Sequence, residues 1–148
     1  MLTSFVNEIQ VNFKPKHVLS TLSKITKSKE IEAFLRQIWD DDIQFRERFY
    51  CIYLNRQNRI LGYYLLSTGS SSGTVVDIKM IFQPAFNLHA SSIIMAHNHP
   101  SGNLSPSIQD ETLTKKVKRV CQDMDFCLLD HIILTYDSYY SFNDNCNL

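Results

Sequence analysis

The sequence predicts one domain of mixed α and β structure. Three observations carry that reading: segments with the two-residue period of strands alternate with segments of helical spacing, 44% of the 148 residues are hydrophobic, and no repeat or low-complexity tract divides the chain. A chain of this length buries roughly 68–70% of the surface its unfolded form exposes, enough to fold without a disulfide or a partner. The aromatic share of 11% and the balance of 15 Lys+Arg against 15 Asp+Glu exclude the disordered class, and four Gly and four Pro exclude the collagenous one. Apolar runs of four to six residues, such as Ile93-Ile94-Met95-Ala96, fall well short of the roughly 18 that a membrane-spanning helix needs. No membrane insertion is expected.

Each element has its own local signal. Ile9, Val11 and Phe13 alternate as in a half-buried strand, and Pro15 then opens a helix reaching Ile25. Ser28 caps a second helix, whose Ile31, Phe34, Leu35 and Ile38 fall at i, i+3, i+4 and i+7 and must face a core; Asp40-Asp41-Asp42 ends it. The aromatic and β-branched runs 48–54 and 60–66, joined by 55–59, read as a β-hairpin. A Ser/Gly-rich connecting loop over 67–73 precedes a short strand at Thr74, Val75 and Val76. Residues 77–89 have helical spacing at Ile78, Ile81, Phe82, Ala85 and Leu88, with Pro84 expected to kink or shorten the helix. Strands follow over 92–96, 127–135 and 139–142, with a helix over 106–123 between the first two; Ser105 and Pro106 mark its start, and Leu113, Val117, Val120, Cys121 and Met124 form its apolar stripe.

Several function classes recede on charge and composition. A formal net charge of zero removes the broad attraction of a basic domain for nucleic acid, so direct nucleic-acid binding is not expected. The basic run Lys115-Lys116-Val117-Lys118-Arg119 lies opposite the apolar stripe, as a solvated helix face does. Residues 1–8 have neither the basic nor the apolar region of a secretory signal, so a cytoplasmic location is expected. Cys51, Cys121, Cys127 and Cys146 show no C-x2-C spacing and read as reduced, buried thiols. Nothing in the pattern sets an oligomeric state.

The informative segment runs from Ala96 to Asp110 and reads H-x-H-x7-S-x2-D, with His97, His99, Ser107 and Asp110 at its fixed positions. Histidines at i and i+2 at a strand end point to one side, so both imidazoles converge on one place. Asp110 and Ser107 extend the apolar stripe of the following helix one turn backwards. A carboxylate aimed into a core needs a cationic partner. Ser107-x-x-Asp110 also reads as a capping box that needs no metal. A strand, two same-side histidines, a Pro100-Ser101-Gly102 turn and a helix starting with Ser and Asp together make a consistent N,N,O metal site.

His97-Asn98-His99-Pro100-Ser101-Gly102, followed by Pro106-Ser107 and Asp110, resembles the JAMM/MPN+ metalloprotease motif in its RadC-like branch. The resemblance continues through Leu129-Asp130-His131-Ile132-Ile133 and Tyr140-Ser141-Phe142, and back through Leu54-Asn55-Arg56 and Gly73 to Asp77. Where such proteins usually carry Pro-Arg after that Asp, this chain has Ile78-Lys79. It implies a three-layer, cytidine deaminase-like α/β domain with a mixed, curved sheet flanked by helices. A single domain over 1–148 is expected, with 1–44 a leader of strand and helices like that of stand-alone RadC-like proteins and 45–148 carrying the motif. The paired helix-hairpin-helix region that precedes the domain in longer members is not expected.

The resemblance further implies that His97, His99 and Asp110 bind one Zn2+ per chain with a water in the fourth position, and that Ser107 donates to the oxyanion. It also requires an upstream glutamate as proton carrier. Glu47 fits, since it directly precedes a strand and shares a face with Phe49, Cys51 and Tyr53; a strand-end charge between Arg46 and Arg48 is the bland reading. Asp130 and His131 face opposite sides of their strand, so one of them could support a ligand, and a satisfied core hydrogen bond is the alternative. His17 and His89 read as surface residues. The implied function is zinc-dependent cleavage of peptide or isopeptide bonds in a peptide or protein substrate. An accessory protein of DNA repair or recombination, with a metal site but no peptidase role, is the alternative, and a metal-binding scaffold without turnover the third. A zinc deaminase would need H-x-E with P-C-x-x-C, and neither is present.

Overall fold

Strand β1 (Arg48–Leu54) and strand β2 (Ile60–Thr68) form the expected antiparallel hairpin, in a computed structural model that describes residues 7–69 and 75–148. On its other edge β1 pairs antiparallel with β3 (Ser92–Asn98), β3 pairs parallel with β4 (Cys127–Leu134), and β4 pairs antiparallel with β5 (Tyr139–Ser141). The sheet order is β2-β1-β3-β4-β5. A parallel pair needs a crossover, and helix α3 (Ile108–Asp123) supplies the one between β3 and β4.

Strand alternation builds three layers. Tyr50, Ile52, Leu54, Ile94, Ala96 and Ile132 face one way and cluster with Ile31 and Leu35 of helix α1 (Ser28–Ile38). Phe49, Cys51, Tyr53, Ile93 and Met95 face the other way and cluster with Ile81, Phe82 and Ala85 of helix α2 (Ile78–Asn87) and with Val117 and Cys121 of α3. Because both faces are covered, β1 and β3 read as continuous apolar runs rather than alternating ones. Each buried Ile, Leu or Phe contributes roughly 1.5–3 kcal/mol relative to exposure. Two polar ties fix the layers: Tyr53 donates to the Ile81 carbonyl at 2.8 Å, and the Arg36 guanidinium of α1 donates to the carbonyls of Thr135, Tyr136 and Ser138 in the β4–β5 turn.

The N-terminal expectations are corrected. Ile9, Val11 and Phe13 form no strand and are exposed, since alternation makes a strand only where a neighbour supplies the ladder. The helix expected over 15–25 is a single 3-10 turn, Leu19–Thr21, that buries nothing. The chain instead joins the hairpin turn, with Lys24 bridging Arg59 and the Ile25 N–H on the Asn58 carbonyl. Ser28 does not cap α1: Lys27 is the N-cap residue, and the Ser28 hydroxyl bonds Tyr139 and Asp144.

Further along, β2 extends through Ser67 and Thr68, taking up the start of the expected loop, and 70–74 lie outside the described residues. Val75 and Val76 carry no strand, and Val75 is exposed. Pro84 sits inside α2, which ends at Asn87, and His89 follows with φ 50°. The cap of α3 is Ser107 rather than Ser105 with Pro106, and Met124 at its far end is exposed. Cys51 and Cys121 are buried, and burial pushes both thiols up to about 12, whereas Cys127 and Cys146 are exposed. Among the described residues no helix is long and apolar enough to cross a membrane.

Candidate metal centre

The site forms where the β3 end meets the start of α3. His97, still paired in the sheet, points to the α2/α3 face and is 1% exposed, with the Phe49 ring stacked on it at 5.8 Å. One residue on, Asn98 points to the opposite face; the chain then leaves the sheet as the His99 N–H takes the Leu134 carbonyl at 2.9 Å. Gly102, at φ 80°, closes the turn by donating to the His99 carbonyl at 3.0 Å. This left-handed position suits Gly.

The turn returns the chain to a capping box. The Ser107 hydroxyl accepts from the Asp110 N–H at 3.1 Å, and the Asp110 carboxylate accepts from the Ser107 N–H and hydroxyl, both at 2.7 Å. The same carboxylate reaches the histidines, with Oδ1 3.1 Å from His97 Nε2 and Oδ2 3.4 Å from His99 Nε2; the two Nε2 atoms lie 3.0 Å apart. Capping box and N,N,O cluster, alternatives on sequence, are here one structure. Ligand atoms of His97, His99 and Asp110 all lie within 4.8 Å of one another.

The donor set fits a metal cation. His99 Nδ1 faces the Asn103 carbonyl at 2.6 Å, an acceptor only, so Nδ1 carries the hydrogen and Nε2 presents its lone pair. A carboxylate, that lone pair and His97 Nε2 thus converge on one point. Electrostatics agree: burial opposes ionisation of Asp110, but hydrogen bonding to His97 and His99 when those rings carry a proton outweighs it and holds the carboxyl far below the usual range. The bond with Asp110 raises the His99 pKa. This centre stabilises positive charge.

Glu47 lies immediately before β1, partly buried. Its carbonyl accepts from Gly69 N–H at 2.8 Å, and its charge contributes to the rise at His99. The segment carrying it is clamped by Asn98, fully buried, whose amide donates to the carbonyls of Ile43 at 2.6 Å and Arg46 at 2.7 Å while its oxygen accepts from Arg48 N–H at 2.8 Å. Arg48 adds ion pairs with Asp40 at 2.7 Å and Asp42 at 2.9 Å. His17 and His89 are exposed and outside the cluster.

Sequence reasoning left Asp130 and His131 unassigned, and the structure separates them. His131 is fully buried on the α3 side, with Nε2 2.9 Å from His97 Nδ1 and Nδ1 2.7 Å from Thr114 Oγ1. Burial pushes its pKa well below the usual histidine value. Asp130 accepts from Ser141 Oγ, its neighbour's N–H and Asn143 N–H, tying the C-terminal turn to β4. The signal was a polar pair in an apolar strand. Which member faced the site was decided by an irregularity: Ile93 pairs Leu128 but Ile94 pairs Asp130, so Leu129 is an extra residue that inverts the facing of all that follows.

A family model described as "RadC-like JAB domain" matches residues 25–147, a span that includes α1. Among curated proteins, one named UPF0758 protein from Flavobacterium johnsoniae is 38% identical over 123 residues, 83% of this chain and 53% of that protein. Another from Streptococcus gordonii is 35% identical over 137 residues, 93% of this chain and 57% of its own length. A third, from Streptococcus pyogenes serotype M49, is 39% identical over 128 residues, 86% of this chain and 55% of its own. The chain spans about half the length of the curated relatives it matches.

Proposed function

We propose that this chain, which belongs to the RadC-like JAB domain family, is a zinc-dependent hydrolase of peptide or isopeptide bonds. The observation that carries the reading is the convergence of His97, His99 and Asp110 at the mouth of a capped helix. Three protein ligands are the complement of a catalytic rather than a closed structural site. Bound by them, zinc supplies Lewis acidity that polarises a carbonyl and brings the pKa of a water to about 7.

The remaining steps belong to the chain. Glu47, on the segment clamped by Asn98 and Arg48, takes a proton at its carboxylate and returns it to the leaving amine. The Ser107 hydroxyl, at the N-terminus of α3, rests its one hydrogen on the Asp110 carboxylate and turns it to the developing oxyanion. The substrate is a peptide or protein, and the free buried thiols Cys51 and Cys121 suit a reducing cytoplasm. The test is incubation of zinc-loaded protein with a panel of peptides and isopeptide-linked conjugates. We expect cleavage that a chelator abolishes and that Glu47→Gln lowers about 10²–10⁴-fold with zinc still bound. Stoichiometric zinc with no cleavage across the panel would overturn this reading in favour of a scaffold.

A further inference from the structure

We infer that Thr114 and His131 are positioning residues that set the tautomer of His97, so that the nitrogen it turns toward Asp110 and His99 is a bare lone pair. The inference rests on the metal-centre reading and follows from one hydrogen atom. Thr114 Oγ1 lies 2.6 Å from the Asp110 carbonyl oxygen. A carbonyl only accepts, and a hydroxyl has a single hydrogen, so that hydrogen is committed to Asp110. Toward His131 Nδ1, at 2.7 Å, Thr114 therefore acts as acceptor, and Nδ1 bears the hydrogen.

The rest is forced in sequence. A neutral His131 with its hydrogen on Nδ1 has a lone pair on Nε2, so His97 Nδ1, at 2.9 Å, is the donor there. His97 Nε2 is then free of hydrogen. The chain starts and ends on one residue: the Asp110 carbonyl anchors Thr114, and the Asp110 carboxylate sits 3.1 Å from the His97 Nε2 that results. His99 reaches the same state by a shorter route, through the Asn103 carbonyl alone. The long route suits His97, since its side chain is buried and, among the described residues, His131 is the partner of its Nδ1.

Removal of the Thr114 hydroxyl should release the relay. In Thr114→Val, His131 Nδ1 loses its acceptor, the ring is free to carry its hydrogen on Nε2, and His97 must then accept on Nδ1 and hold its own hydrogen on the metal-facing nitrogen. Metal-ligand histidines that lose such support typically lose about 10–100-fold in metal affinity. Thr114→Ser retains the hydroxyl and the relay.

The experiment uses the full chain with 15N-labelled histidines. Long-range 1H–15N spectra of the metal-free protein at mildly alkaline pH read the tautomers of His97 and His131, and competition with a chromophoric chelator reads zinc affinity. Wild type and Thr114→Ser should show hydrogen on Nδ1 of both rings, while Thr114→Val should lose that pattern and bind zinc about 10–100-fold more weakly. Hydrogen on His97 Nε2 in wild type, wild-type affinity in Thr114→Val, or an equal loss in the Ser and Val variants would each overturn the inference. Should Thr114→Val fail to fold, the wild-type spectra and the Ser variant still decide it. Normal tautomers and zinc binding without any amide cleavage would count against the hydrolase reading alone.

Discussion

At the scale of single residues, the site's acids have divided duties. Asp110 closes a capping box and completes the N,N,O cluster with the same carboxylate, whereas Asp130, on the other face of the sheet opposite Ile94, takes three donors and holds the C-terminal turn. His97→Ala and Asp110→Ala should each abolish stoichiometric zinc while circular dichroism stays native, because the two apolar layers do not depend on the metal. Zinc unchanged in both variants, measured by elemental analysis, would remove the assignment. Ser107 combines capping with oxyanion donation, and glycine separates the two. Gly is nearly as good an N-cap, so Ser107→Gly should lose only a few tenths of a kcal/mol in denaturant unfolding yet slow cleavage about 10²–10³-fold. Equal turnover per folded molecule would leave Ser107 as a cap alone.

At the scale of elements, the end of β3 is a distribution point. His97 faces α3, and Asn98, one residue on, faces the other way and gathers 43–48, so a single strand end sets both the histidine pair and the segment with Glu47. Asn98→Ala leaves two carbonyls and one N–H unpaired in a partly buried place. At about 1–3 kcal/mol for each unsatisfied group, partly relieved by water, we expect an overall loss of about 2–4 kcal/mol in urea unfolding, and slower cleavage at unchanged zinc affinity. A loss of zinc in step with activity would show instead that Asn98 supports the histidines. The β4 irregularity acts at this same scale. Had β4 run in regular register, with Leu129 opposite Ile94, Asp130 would face α3 and His131 would face α1.

At the scale of the molecule, ion pairs tie the polar rim to the three-layer core. The Arg48 hydrogen bond lowers the Asp42 pKa, against a smaller opposing effect of burial. A carboxylate with a depressed folded pKa stabilises the fold fully above its unfolded value of about 3.9 and loses that contribution as pH falls through the folded value. The stability gap between wild type and Asp42→Asn should therefore be constant near neutrality and shrink below about pH 4, as followed by chemical unfolding across pH; a gap that grows with acid would contradict the pairing. The sequence by itself determined the α/β class, the hairpin, the stripes of α1 and α3, and the H-x-H-x7-S-x2-D spacing, because these rest on local periodicity and on the fixed geometry of strand ends and helix starts. It overreached at Ile9, Val11 and Phe13, where periodicity is present but no neighbouring strand completes the ladder. Only the tertiary structure decided that Asn98 clamps 43–48 and that His131 rather than Asp130 meets His97. Each depends on partners dozens of residues away or on one inserted residue in a strand, and a two-residue period carries no record of where it is broken.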